Sequence, residues 1–310
     1  MGVELTEELS PLGNAAARIA AVPRGLRWLV FLAPAAALTG LFLVYPVVAT
    51  IRLSFYNWSG YGKQQYAGTS NFRQLYRDHD AVTATVHSLE FAVVTTVVTV
   101  GMGAILALAI DRKIRGHRIF QFALFLPVLL PSTFLALVWA YGLDPISGWF
   151  THFLQFLGIG SGNWLADPHY GIFAVALAYI LQNTGFAMII ILAALSDISP
   201  EIHEAATLDG VGQLRRARKV SLPLVRDAIV TVSLLQLIYG FTNFDFVYAM
   251  VNGGPGTGTD VVSTFVYYQA FVSHRFGYGA AAALVASGVV ALIAMVFMSV
   301  FRPRGIRRAG

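Results

Sequence analysis

Four side chains with hydrogen-bonding capacity interrupt otherwise apolar runs of this sequence: Ser132, Gln182, Asn183 and Asn243. Hydroxyl and carboxamide groups both donate and accept, so such a set suits a solute covered in hydroxyls, and Phe186 and Tyr239 offer flat faces for its C–H surfaces. The same groups also serve as bonds between membrane helices, so both readings stand at this level. Asp245 is the one carboxylate well inside an apolar run, which makes it a candidate proton relay or a structural contact. No metal-ligand cluster and no nucleophile–base pair is recognisable in the loops, and the chain has no cysteine. The chemistry on offer is binding and passage.

The elements that must hold these residues follow from composition. Of 310 residues, 56% are apolar and only 12% charged, about half the charged share of a soluble domain. Six stretches, 28–51, 86–110, 119–142, 171–195, 226–250 and 278–301, reach the roughly 20 apolar residues that a helix needs to cross a bilayer. Backbone amides in lipid must be satisfied within their own segment, so the expected fold is all-α, a polytopic bundle of six transmembrane helices. The first run is preceded by 27 residues and exceeds a signal-peptide core, so it is expected to stay in the mature protein. At about 1.5 Å per residue, unbroken helices would bring Ser132, Gln182 and Asn183 to roughly 20 Å, and Asn243 to roughly 25 Å, from the side to which the arginine-rich loops belong. That is one depth on three spans.

Sixteen of the 21 Lys and Arg fall in the arm 1–27, the loop 111–118, the loop 196–226 and the tail 303–310 with its flanking Arg302. Cationic loops are retained in the cytoplasm, so both termini are expected there. The same asymmetry accounts for the net charge of +5, and no nucleic-acid partner is needed to explain it.

One connection is long. From Ser196 to Arg226 the chain runs some 31 residues on the cationic side. Ser199-Pro200 suits a helix start with a serine cap, Asp209-Gly210 supplies a turn, and a second short helix carries Arg215, Arg216, Arg218 and Lys219 up to Pro223. Ile202, Ala205 and Ala206 share one face of the first helix, whose small residues suit docking into a groove. Basic juxtamembrane residues also suit anionic headgroups.

The string EAATLDGVGQLRRARKVSLPL at 204–224 resembles the EAA loop of permease subunits in bacterial ATP-binding-cassette importers. Glu204, Ala205, Ala206, Asp209, Gly210, Leu222 and Pro223 occupy the family's positions, whereas Val211 and Ala217 replace a usual alanine and a frequent aromatic residue. The resemblance implies that this loop couples the permease domain, 28–302, to an ATPase subunit dimer. MgATP would be used by that partner, with no cofactor in this chain.

Further strings, LAPAAALTGLFLVYPVVATIRLSFYNW at 32–58, NWLADP at 163–168, FDFVYAMVNGGPGTGTD at 244–260 and FGYGAA at 276–281, are similar to the carbohydrate branch of that family, as in maltose and glycerol-3-phosphate uptake. That branch implies a second homologous permease subunit and an extracytoplasmic solute-binding protein. The glycine-rich run Asn252 to Thr259 lacks the Gly-Lys-Ser/Thr ending of a phosphate loop and would lie near the binding protein. The branch's solute positions correspond to Ser132, Gln182, Asn183, Phe186, Tyr239, Gly240 and Asn243.

Overall fold

The computed structural model describes residues 27–111, 116–159, 162–167, 170–209, 211–252 and 258–301, with only the backbone for 27–30. The arm 1–26, most of the glycine-rich run, Gly210 and the tail 303–310 lie outside the described residues. Two compact units emerge, Met1–Leu53 and Ser54–Gly310.

The first unit is a helix, α1 (Arg27–Thr39), carried through a π-helical turn at Gly40–Val44 into α2 (Tyr45–Ser54). Pro34 lies inside α1, and the run is long and apolar enough to cross a membrane.

The second unit opens with a two-stranded ribbon, β1 (Tyr56–Asn57) and β2 (Gln65–Tyr66), pairing Tyr56 with Tyr66. Then come α3 (Ser70–Arg77) and α4 (His79–Asp111). The α4 helix begins seven residues before the expected start at 86, because its first turns are amphipathic and add no apolar run.

The third expected span is not one helix. It is α5 (His117–Phe125), a 3-10 turn at Leu126–Leu129, and α6 (Ser132–Gly142), bent by 98° at the break. Pro127 and Pro131 bracket the break; each lacks an N–H and its ring clashes with the preceding helical turn, so the helix ends there. A short α7 (Trp149–Phe156) and a 3-10 turn at Trp164–Ala166 lead to α8 (Gly171–Ser196).

The fifth expected span is also divided. The loop helices α9 (Pro200–Leu208), α10 (Gln213–Arg216), a π turn at Ala217–Ser221 and α11 (Leu222–Leu224) precede α12 (Arg226–Phe241). The segment Gln213–Leu224 meets α12 at 71°. The outer continuation is a separate α13 (Asp245–Val251), then α14 (Val262–Tyr267) with a π turn at Tyr268–Val272, and finally α15 (Phe276–Phe301). Among the described residues four helices are long and apolar enough to cross a membrane, and up to six if each bent pair counts as one.

The bundle's centre is α4 against α8, with α12 packed on α4. Membrane helices associate through close packing rather than through escape from water, and small residues permit it. At Gly103 a Cβ would come 2.8 Å from the Ala187 Cβ, and at Gly240 it would come 2.9 Å from the Ala92 Cα. One core cluster gathers Phe91, Tyr179, Phe246 and Leu143, and a second gathers Val100, Met188, Ile191 and Val232.

Candidate functional site

The 98° bend removes the depth argument for Ser132. A rise counted along a straight third span does not apply, since Ser132 starts a new helix in a different direction. Asn243 likewise falls in the break between α12 and α13 rather than on a continuous helix. The helices that follow the two breaks, α6 and α13, pack against each other.

Gln182 is almost fully buried, at 6% exposure, and its Nε2 donates to the carbonyl oxygens of Leu130 at 3.0 Å and Pro127 at 3.4 Å. Those carbonyls belong to the break: that of Pro127 also accepts the Leu130 amide at 3.2 Å, while the Leu130 carbonyl lies past the end of the 3-10 turn. The side chain therefore satisfies the break and fixes where α6, and with it Ser132, begins. Asn183 donates to the Tyr179 carbonyl of its own helix at 3.0 Å, and Phe186 packs against the second core cluster. Tyr239, by contrast, is 52% exposed. Gly240 is the contact surface between α12 and α4, in van der Waals touch with Ala92 and Thr95.

At Asn243 the backbone oxygen accepts the Ser263 hydroxyl at 2.5 Å, while its buried side-chain Oδ1 has no hydrogen-bond partner among the described residues. An unsatisfied buried acceptor costs about 1–3 kcal/mol. Sequence reasoning missed three buried polar residues of the bundle. Gln236, completely buried, accepts the Tyr179 hydroxyl at 3.2 Å and leaves its Nε2 without a partner, and Thr96 and Thr99 on α4 carry unpartnered buried hydroxyls. Gln236 could have been found as a carboxamide within an apolar run, seven residues before Asn243. Asp245 is exposed as the first residue of α13, just past the break, rather than inside a continuous span.

The loop has the expected helix–turn–helix order with two differences. Ser199 makes no side-chain capping bond; its carbonyl accepts the Ile202 amide at 3.1 Å instead. Pro223 does not stop the second helix but sits in the first turn of α11, where its missing N–H costs nothing, and the chain turns at Val225. Ala206 is buried, whereas Glu204, Ala205 and Ile202 are exposed and Leu208 is 89% exposed. A hollow of about 420 Å³ lies among His203, Glu204, Thr207, Leu208 and Arg216. The Arg216 guanidinium reaches the Thr207 hydroxyl at 3.5 Å, tying the basic stretch to α9. Asp209 closes α9 through its amide to the Ala205 carbonyl at 3.0 Å. Of the other coupling positions, Leu222 is half-buried and Pro223 exposed.

Apolar helices crossing a bilayer, two of them broken around polar side chains, with an amphipathic helical loop attached, define a polytopic membrane protein of the transport class. Residues 99–307 match the family model described as binding-protein-dependent transport system inner membrane component. The chain belongs to that family, the permease components of ATP-binding-cassette importers.

Among its relatives, a sulfoquinovosyl glycerol transport system permease protein of Agrobacterium fabrum is 28% identical over 294 residues, covering 91% of this chain and 96% of that one. A trehalose/maltose transport system permease protein of Thermococcus litoralis is 25% identical over 266 residues, covering 85% of this chain and 89% of the relative. A chain in the crystal structure of a bacterial ABC transporter that imports the acidic polysaccharide alginate superposes with a TM-score of 0.79 at 22% identity, covering 91% of this chain and 96% of that one, which shows the fold.

Proposed function

We propose that this permease forms, with a second homologous permease, the pathway for a sugar or sugar-like solute handed over by an extracytoplasmic binding protein. In this reading α9 docks on an ATPase subunit dimer that hydrolyses MgATP, and the cationic loops and both termini lie in the cytoplasm. The observation that carries the reading is α9 itself: Glu204, Ala205 and Ile202 stand exposed on a helix whose buried Ala206 and Arg216–Thr207 contact hold it to the rest of the loop. A rigid, outward-facing short helix is what transmits a push.

Sugar as the cargo rests on the relatives and on the hydroxyl- and amide-bearing breaks. A sn-glycerol-3-phosphate transport system permease protein of Yersinia pseudotuberculosis is 27% identical over 285 residues, so a phosphorylated polyol is the second reading.

Reconstitution with an ATPase dimer, a sister permease and a solute-binding protein tests both parts. ATP-dependent uptake of a sugar is expected. Glu204→Ala, at an exposed position, is expected to leave the complex assembled while severing hydrolysis from uptake. Coupled uptake unchanged in Glu204→Ala contradicts the docking role. Uptake by the chain alone, driven by a proton gradient and abolished by Asp245→Asn, contradicts the whole assignment.

A further inference from the structure

Two hollows flank the short helix α3, each lined in part by its residues. Leu75 and Tyr76 of α3, Val82 and Val86 of α4, Phe265 of α14 and Val285 of α15 line a cavity of about 360 Å³. Its lining is apolar apart from Thr85, whose hydroxyl is spent on the Ala81 carbonyl at 2.8 Å, and the hydroxyl of Tyr76. Arg73, Gln74, Arg77 and Asp78 line the other, an open hollow of about 440 Å³. Arg73 and Arg77 stand one helical turn apart, so their guanidinium groups can converge on one anion. Asp78 lines the same hollow, one oxygen accepting the Tyr278 hydroxyl at 2.5 Å and the other the Asp80 amide at 3.1 Å, so two guanidinium charges stand against one carboxylate.

Depth matches a lipid. Val86 stands where the apolar run of α4 begins, Val82 one turn before it, and Val285 roughly 10 Å into the run that starts at 278, so the slot runs from the headgroup level into one leaflet, whose hydrocarbon half is about 15 Å deep. Tyr76, 87% exposed, lines the apolar hollow and precedes Arg77 in the chain, and an amphipathic ring is at home at the headgroup level.

We propose that this is a phospholipid site, with one acyl chain in the slot and the phosphate held by Arg73 and Arg77. A purely apolar occupant would leave the paired arginines without a role, and a free anion would leave the slot empty; a glycerophospholipid fits both. The site lies in the leaflet on the side that holds residues 52–85, whichever side that is.

The test uses the intact transporter, taken from bilayers of phosphatidylethanolamine, phosphatidylglycerol and phosphatidylcholine, with lipid carried through purification counted by native mass spectrometry. One retained phospholipid is expected. Arg73→Gln with Arg77→Gln, both exposed and remote from the core, is expected to weaken retention on the order of tenfold. Val86→Trp fills the slot and is expected to abolish it. Equal retention in wild type and the double arginine variant overturns the proposal. So does a photo-crosslinker at position 86 that captures a protein helix instead of lipid. If Val86→Trp does not assemble, the arginine variant alone decides.

Discussion

The side-chain amide of Gln182 on α8 bonds to the carbonyl oxygen of Leu130 at 3.0 Å, across the break that separates α5 from α6. This contact holds a 98° bend at membrane depth, where unwound backbone is tolerated only if protein groups satisfy it. A residue that reads as a solute ligand in the sequence thus positions the helix on which a neighbouring candidate, Ser132, sits.

Gln182→Leu should therefore destabilise the protein by about 1–3 kcal/mol, because two carbonyls lose a buried donor. Thermal unfolding of the detergent-purified complex checks it. Gln182→Glu should be no better, since a carboxylate accepts but cannot donate when ionised.

The Tyr179–Gln236 bond joins α8 to α12 in a dry interior. Tyr179→Phe should cost about 1–3 kcal/mol by leaving the Gln236 carboxamide wholly unsatisfied, whereas adding Gln236→Leu should restore much of that loss. A double-mutant cycle on unfolding midpoints reads the coupling; strictly additive losses would refute it.

Gly240 admits no side chain at the α4–α12 contact, where a Cβ would meet the Ala92 Cα at 2.9 Å and the Thr95 Oγ1 at 3.0 Å. Gly240→Ala should cost roughly 1–3 kcal/mol through forced separation of the helices, and Gly240→Val more. Partial rescue by Thr95→Ala would be visible in the same unfolding assay.

Asp260, in the connection between α13 and α14, is raised to about 6 from an ordinary 3.8, chiefly by burial. The negative charge of Asp80 adds to the rise, while the Thr264 hydroxyl and His87 oppose it. The folded protein then takes up this proton before the unfolded chain does, so stability should increase as pH falls from about 7 toward 4. Asp260→Asn should remove that increment and be more stable than the parent at pH 7; an unchanged pH profile would count against the assignment.

How much of this was legible beforehand varies by feature. The apolar runs are readable because lipid demands about 20 such residues whatever the neighbours are, and α8 agrees with its expected span to one residue. The first helix of the loop is readable from Pro200 at its start and Asp209 at its end, because these residues restrict the backbone locally. The bends were not. Pro127 and Pro131 mark a possible break, but a kink and a 98° turn share the same residues until neighbouring helices choose between them.

The sequence by itself determined that the chain lives in a membrane, that it is helical, that cationic loops alternate with neutral ones, and that a loop carrying Glu204 projects from it. Composition, period and charge are properties of the chain alone. Only the tertiary structure decided which polar groups face one another. Gln182 became a support because Leu130 presents a carbonyl that its own helix cannot satisfy, and Tyr239 stayed exposed because no helix covers it within this unit. A hydrogen bond needs a partner at 3 Å, and residues 52 apart in sequence reach that distance only when the fold brings them there.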